Sequence, residues 1–184
     1  MIIRKLFSFE GAHIVRNCTT QRCARSIHGH SYKVEILLEA DVLDNGQMVY
    51  DFGLMKADMR DIVDAFDHTL VFWNDDAPDY IAACVKNSLR WIGLPVSPSA
   101  EQLSRVFFVL IELALKQTKM RNGEGDIALH SIIVHETATS YAQCFAKDAH
   151  NPKMGVITRD NIQVSAQVLL EASTEILRNE QHTI

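Results

Sequence analysis

The feature that most constrains this chain is a regular alternation of apolar and polar residues between positions 30 and 40. The apolar members of this alternation are Tyr32, Val34, Ile36, Leu38 and Ala40. A period of two is typical of a β-strand with one buried face, because successive strand side chains point to opposite faces. The stretch therefore predicts a strand in a sheet that covers a hydrophobic core.

Two histidines open this strand, and we expect both on one face. His28 and His30 are two residues apart, so their imidazoles project in the same direction. Residues 2–13 alternate more loosely and end at His13, and antiparallel pairing of the two strands would bring the third imidazole close. Three neutral imidazoles with one open position hold a catalytic zinc ion, whereas structural zinc has four protein ligands. A single strand histidine is more often structural, so the zinc prediction depends on all three.

Cys23 lies on a polar, cationic loop that leads into the histidine strand. Arg16, Arg22 and Arg25 are its neighbours in the sequence, and positive charge near a thiol, together with a zinc ion, lowers its pKa. A reactive base or nucleophile requires such a thiol. The alternatives are that Cys23 is an ordinary loop thiol, or that Cys18 on the same loop is the working one.

Two further positions carry candidate chemistry. Asp67-His68 follows a predicted helix, and a carboxylate that fixes the tautomer of an imidazole is typical of acid/base relays. A histidine that is stabilised by the helix dipole at the C-terminal end of the helix explains the pair equally well. Glu136, at a strand end, is either solvated or a two-point acceptor for a ligand with two parallel N–H donors.

The remaining periodicity predicts an α+β fold with an antiparallel sheet, because strand pairs are separated by helices. Strands are predicted at 2–13, 30–40, 127–135 and 141–145, with a hairpin return beginning at 47–50. Helices are predicted at 54–66, at 80–92, from Ser97 or Ser99 to about 117, and at 162–177. Residues 147–158 are predicted to be a linker.

Composition limits the function classes. A length of 184 residues favours one domain. The net charge of −5, without a Lys/Arg-rich run, argues against nucleic acid as a ligand. No apolar run reaches the roughly 20 residues of a membrane span, and the N-terminus lacks a signal-peptide pattern. Four irregularly spaced cysteines argue against a disulfide framework, so a cytoplasmic location is expected.

Several motifs occur together in a specific order. They are Phe9-Glu10-Gly11-Ala12-His13, Cys23 followed by His28-Gly29-His30-Ser31-Tyr32, Asp51-Phe52, Phe66-Asp67-His68, Pro98-Ser99-Ala100-Glu101 and Glu136-Thr137. This set resembles the 6-pyruvoyl-tetrahydropterin synthase family, and within it the 6-carboxy-5,6,7,8-tetrahydropterin synthase branch of the queuosine pathway. The resemblance covers residues 1–146, with an insertion at about 75–96 and an extension over 147–184.

The resemblance implies a tunnelling fold. In that fold a four-stranded antiparallel sheet packs against two main helices, here with an inserted helix and a C-terminal helical extension. Such sheets assemble through their edges into homo-oligomeric rings, commonly a hexamer of two stacked trimers. The active sites then lie between subunits.

The resemblance also implies a reaction, the zinc-dependent conversion of 7,8-dihydroneopterin triphosphate to 6-carboxy-5,6,7,8-tetrahydropterin with release of acetaldehyde and triphosphate. The implied roles are Zn2+ binding by His13, His28 and His30, general base catalysis by Cys23, proton relay by Asp67 and His68, and pterin binding by Glu136. Four residues separate Cys23 from His28, against three in the carboxy branch and five in the pyruvoyl branch. A 6-pyruvoyl-tetrahydropterin synthase, or a non-catalytic pterin- or zinc-binding homologue, therefore stays an alternative.

Overall fold

The structure is a computed structural model that describes residues 1–178. Its strands form one seven-stranded mixed sheet. The strands are β1 (Ile2–His13), β2 (His28–Glu39), β3 (Thr69–Trp73), β4 (Trp91–Leu94), β5 (Ala128–His135), β6 (Tyr141–Cys144) and β7 (Gln163–Val164). The helices are α1 (Gln21–Arg25), α2 (Asp58–Asp64), α3 (Pro78–Asn87), α4 (Ala100–Gln117), α5 (Ala146–Ala149) and α6 (Ala166–Glu171). The end of the predicted extension, residues 179–184, lies outside the described residues.

The predicted antiparallel strands form one half of the sheet, in the order β6-β5-β2-β1. β1 and β2 pair along their whole length, which sets His13 opposite His28 and Gly11 opposite His30. One face of β2 is buried from Tyr32 to Leu38, as the alternation predicts. The pairing on which the histidine site depends is therefore confirmed.

The expectation of a four-stranded antiparallel sheet is wrong, because three more strands extend the β1 edge. β3 runs parallel to β1, β4 runs parallel to β3, and β7 pairs antiparallel to β4. β3 is the short run Thr-Leu-Val-Phe-Trp, rich in β-branched and aromatic residues. Its side chains are buried or partly buried on both faces, so it shows no alternation by which it could be recognised.

Three local predictions also need correction. The helix predicted at 80–92 ends at Asn87, and Trp91 and Ile92 belong to β4. The stretch 47–50, predicted as a return strand, is irregular and follows a turn at 45–46, where the Asp44 carboxylate accepts from the backbone N–H groups of Gly46 and Met48. The helix predicted at 162–177 is divided into β7, α6 and a 3₁₀ turn at Glu175–Leu177.

Helix α4 packs across the sheet and forms the centre of the core. It begins after Ser99, whose Oγ accepts from the Gln102 N–H at 3.4 Å, so Ser99 rather than Ser97 is the cap. The rings of Phe9 and Phe107 lie 5.7 Å apart between centroids, and Phe66 lies 4.7 Å from Phe107. These aromatic contacts join β1, α4 and the end of the α2 region next to the histidines.

Arg105 of α4 is buried, with 3% of its surface exposed, and it fixes the segment after β6. Its guanidinium donates to the carbonyl groups of Asp148, Ala149, Asn151 and Gly155 at 2.7–3.2 Å. The predicted linker at 147–158 is therefore an ordered segment held to the core. Within the described residues, no helix combines the length and hydropathy that a membrane crossing requires.

We predict that Arg105→Leu destabilises the fold by at least about 3 kcal/mol, because several buried carbonyl groups lose their charged donor. The free energy of unfolding can be measured by urea denaturation. Arg159→Leu is a matched control, since among residues 1–178 the Arg159 side chain is paired with the exposed Asp160 alone, at 3.1 Å, and it should change stability by less than about 0.5 kcal/mol. Equal effects of the two variants would contradict the structural role of Arg105.

Candidate metal centre and active site

Three histidines converge at the paired ends of β1 and β2. One ligand atom from each of His13, His28 and His30 lies within 4.8 Å of the others. The Nε2 atoms of His13 and His28 are 3.1 Å apart. The structure thus brings together all three residues that the sequence predicts as metal ligands.

The hydrogen bonds of two imidazoles fix their tautomers. His13 Nδ1 lies 2.6 Å from the Pro98 carbonyl oxygen, and His28 Nδ1 lies 3.0 Å from that of Ser26. Because a carbonyl oxygen only accepts, both Nδ1 atoms carry a proton, and in the neutral rings that bind a metal both Nε2 atoms present lone pairs. Two lone pairs at 3.1 Å repel each other, whereas a cation bound by both removes the conflict. Carbonyl groups that orient ligand imidazoles in this way are typical of metal sites.

Burial favours the neutral form of His13 and His30, and this is the form in which an imidazole binds a metal. His13 is 1% exposed, and its desolvation lowers its pKa to about 4, although the hydrogen bond to Pro98 opposes the shift. Burial also lowers the pKa of His30, whose Nε2 is buried and lacks a hydrogen-bond partner within the described part of the chain. An unpaired buried nitrogen is costly unless a ligand binds it. These donors therefore fit a divalent ion that prefers imidazole nitrogen.

Cys23 shares a cavity with one of the three histidines. The cavity has a volume of about 260 Å³. Its lining includes Cys18, Cys23, His28, Glu101, Glu136 and Tyr141. The structure thus places the predicted base, the alternative thiol and two carboxylates around one space at the metal centre.

Of the three arginines expected to lower the pKa of Cys23, Arg22 does so, but other groups outweigh its effect when no ion is bound. Desolvation raises the pKa of the Cys23 thiol, and Cys18 and Glu136 raise it further, while only Arg22 lowers it. The guanidinium of Arg16 donates to the Asp76 carboxylate at 2.8 Å, so it pairs with a negative charge and not with the thiol. The protein groups around Cys23 therefore favour the neutral thiol, and a positive charge from a bound ion would have to oppose them.

Glu136 lies beside the histidines. Its Oε1 is 3.7 Å from His13 Nε2 and 3.8 Å from His30 Nε2, and 28% of its side chain is exposed. The carboxylate therefore faces the metal centre and the cavity, and is not a solvated rim residue.

Asp67 and His68 lie in a different place from Cys23. His68 Nδ1 is 2.8 Å from Asp67 Oδ2, so the two residues do form a carboxylate–imidazole pair. The His68 side chain is 74% exposed. The pair lines a second cavity, of about 490 Å³, together with Arg90 and Glu171, and neither residue is among the described lining of the Cys23 cavity. Within one chain the structure does not bring this pair to the thiol.

Sequence reasoning missed two residues of these cavities. Glu101 appears in the motif at the start of α4, where it reads only as a helix-start signal, yet it lines the Cys23 cavity. Arg90 lies just before β4 and donates to the Asp67 carbonyl at 2.9 Å. No local pattern reveals a contact between residues so far apart in the sequence.

Comparison with known proteins decides the family. Residues 2–147 match the family model described as 6-pyruvoyl tetrahydropterin synthase. The chain belongs to the 6-pyruvoyl tetrahydropterin synthase family. Two members of this family from Helicobacter pylori, both named 6-carboxy-5,6,7,8-tetrahydropterin synthase, are 37% and 35% identical to it over 161 residues. These alignments cover 88% of this chain and 80% of each relative.

Solved structures of other proteins share this fold. An uncharacterised protein from Wolinella succinogenes aligns with a TM-score of 0.65 at 20% identity, covering 79% of this chain and 98% of that one. The 6-pyruvoyl tetrahydropterin synthase of Caenorhabditis elegans aligns with a TM-score of 0.54 at 20% identity, covering 79% and 95%. The tunnelling fold expected from the sequence is confirmed by these structural neighbours. The sheet, however, has seven strands and not the expected four.

The metal-free protein should lose about 2 kcal/mol of stability between about pH 7.5 and about pH 5. The folded-state pKa of His13 is about 4 against an ordinary 6.5. Over this range the unfolded chain therefore binds a proton that the folded chain does not, and stability falls as pH falls. Urea denaturation at the two pH values measures the loss. In His13→Gln the pH dependence should weaken by this amount, and an unchanged dependence would contradict the low pKa.

Proposed function

We propose that this protein converts 7,8-dihydroneopterin triphosphate to 6-carboxy-5,6,7,8-tetrahydropterin with release of acetaldehyde and triphosphate, in the pathway to queuosine and related 7-deazapurines. The observation that carries the proposal is the convergence of His13, His28 and His30 beside a cavity that also holds Cys23. The relatives named for this reaction support it. We further propose that residues 1–146 form the catalytic unit, that 147–184 extend it, and that the protein acts in the cytoplasm.

The proposed metal is zinc, bound through imidazole nitrogens. Bound there, zinc would supply Lewis-acid stabilisation of the negative charge that develops when a C–H of the substrate side chain is ionised. Pro98 and Ser26 hold two of the ligand rings through their carbonyl groups. These contacts fix the ring planes and the tautomers, so the ligand geometry does not depend on the substrate.

Cys23 Sγ is the proposed base that removes the proton from this C–H. It lies in the cavity that adjoins His28, so a substrate bound next to the metal is within its reach. Since its surroundings raise its pKa, only a small fraction of the free protein carries the thiolate at neutral pH.

The pterin ring requires acceptors for its N–H donors. Glu136 and Glu101 both line the Cys23 cavity, and a carboxylate accepts two parallel N–H groups in one plane. We propose that Glu136 binds the ring and that Glu101, at the N-terminus of α4, assists it. This pairing fixes which end of the substrate faces the metal centre.

Asp67 and His68 are proposed to act in a neighbouring subunit. Asp67 holds His68 Nδ1, which leaves Nε2 free to move a proton on the exposed side of the pair. Because the pair lies apart from the Cys23 cavity of its own chain, a complete site requires a second copy. We therefore propose a homo-oligomer with shared active sites, in the form of a hexamer of two trimers.

Turnover of dihydroneopterin triphosphate by the zinc-loaded protein should release acetaldehyde, which a coupled dehydrogenase assay measures. Cys23→Ala should lower kcat by at least about 100-fold, because the proton acceptor is lost, while zinc content stays unchanged. Cys18→Ala is the matched control, since it removes a thiol from the same cavity, and it should retain most of the activity.

Other outcomes separate the alternatives. Triphosphate release without acetaldehyde would indicate the 6-pyruvoyl-tetrahydropterin synthase reaction. Binding of the pterin without any turnover would indicate a non-catalytic homologue. A large loss in Cys18→Ala with activity retained in Cys23→Ala would make Cys18 the base.

A mixture of two inactive variants should recover activity if sites are shared. Cys23→Ala and His68→Asn each inactivate one part of the site. After subunit exchange in equal amounts, about a quarter of the sites combine both intact parts. Recovery of about that fraction of wild-type activity is expected, whereas no recovery after demonstrated exchange would contradict the shared site.

A further inference from the structure

Arg90 lies just before β4, in the inserted segment, and its side chain is 17% exposed. Its Nε donates to the carbonyl oxygen of Asp67 at 2.9 Å, and its Nη2 donates to those of Asp64 at 3.2 Å and Ala65 at 3.1 Å. The last carbonyl groups of a helix lack partners within the helix, and a cation is favourable at that end. Arg90 therefore caps the C-terminal end of α2 and contacts the residue that holds His68.

Arg90 also donates a hydrogen bond to the C-terminal segment, through Nη1. Arg90 Nη1 donates to Glu171 at the end of α6, and Gln167 donates to the other oxygen of that carboxylate. β7 precedes α6 and pairs with β4, directly after Arg90 in the chain. The inserted and C-terminal segments thus form one unit around this guanidinium.

The peptide group between Asp67 and His68 is held at both ends. Its carbonyl accepts from Arg90, and its N–H donates to the carbonyl of Glu10 at 2.7 Å. His68 has a φ of 54°, in the left-handed region that a non-glycine residue adopts only when its surroundings impose it. The two hydrogen bonds fix the plane of this peptide, and with it the direction in which the imidazole leaves the backbone.

The Asp67 carboxylate is also held in its charged form. Its Oδ1 accepts from the Glu10 N–H at 2.7 Å and its Oδ2 from His68 at 2.8 Å. Partial burial opposes ionisation, but these hydrogen bonds and the charges of His68 and Arg90 outweigh it, so the pKa of Asp67 is lowered. The other charged groups that line this cavity are Arg60, Asp61, Asp64 and Glu171.

We propose that Arg90 is a positioning residue for the Asp67–His68 pair, and that the inserted and C-terminal segments hold it in that role. The inference rests on the proposed function, in which this pair moves protons. Arg90 acts through the backbone carbonyl and the carboxylate charge of Asp67, and its paired N–H donors all bind protein groups. The additions to the family core therefore serve the active site and not only the stability of the fold.

Arg90→Gln tests the proposal, with Arg60→Gln as the matched control. Arg60 lines the same cavity and carries the same charge, but it pairs with Asp64 at 3.0 Å and is 57% exposed. In Arg90→Gln we expect kcat to fall roughly tenfold or more, with KM within about twofold and zinc content unchanged. The pKa of the Asp67 carboxyl, followed by ¹³C NMR, should rise towards its ordinary value. Arg60→Gln should leave both quantities at wild-type values.

Arg90→Lys separates charge from geometry. A lysine retains the positive charge but lacks the planar fork that reaches several carbonyl groups. The pKa of Asp67 should therefore stay closer to that of the wild type than in Arg90→Gln, while kcat still falls. If Arg90→Gln does not fold, Glu171→Gln loosens the anchor and leaves Arg90 in place, and kcat should fall by roughly twofold to fivefold.

A wild-type kcat together with an unchanged Asp67 titration in Arg90→Gln would overturn the proposal. In the case where only Glu171→Gln folds, a wild-type kcat in that variant would overturn it. If the wild-type protein does not turn over the pterin triphosphate, the proposed function fails. The NMR titration needs no substrate and still decides whether Arg90 supports Asp67.

Discussion

The antiparallel pairing of β1 with β2 is the constraint on which the candidate site depends. The two strands pair over all 12 residues of each, and this register sets His13 opposite His28. A slip by one residue would turn His13 to the other face of the sheet, away from Pro98, because strand side chains alternate. The buried side chains of β2 prevent such a slip. The energy of folding therefore places the three candidate ligand imidazoles together in the metal-free chain.

Sequence reasoning succeeds where the signal is local and periodic. The alternation of β2, the apolar spacing of α4 and the His-x-His pair each identify their elements, and the three histidines do converge. It fails for β3, β4 and β7, which are short and are stabilised by neighbours distant in the sequence. The sequence also does not predict the raised pKa of Cys23. The desolvation and the contacts with Cys18 and Glu136 that raise it exist only in the folded chain.

Two segments, residues 75–96 and 147–178, support the candidate site. The first supplies α3, β4 and Arg90, and the second supplies β7 and Glu171. Together they enlarge the sheet at the β1 edge, next to Asp67 and His68. Glu10 of β1 contacts the same peptide from the other side. The Asp67–His68 pair is therefore held between the core sheet and the unit that these two segments form, while Cys23 lies on α1 and the three histidines on β1 and β2.

Zinc titration of the metal-free protein, followed by calorimetry, tests the central claim most directly. Wild-type protein should bind one zinc ion per chain through its three histidines, and His28→Gln should lose most of this affinity. His130→Gln removes another strand histidine, one that contacts Ser131 at 2.9 Å, and it should bind as the wild type does. Absence of zinc binding by the wild-type protein, or equal binding by His28→Gln, would contradict the account.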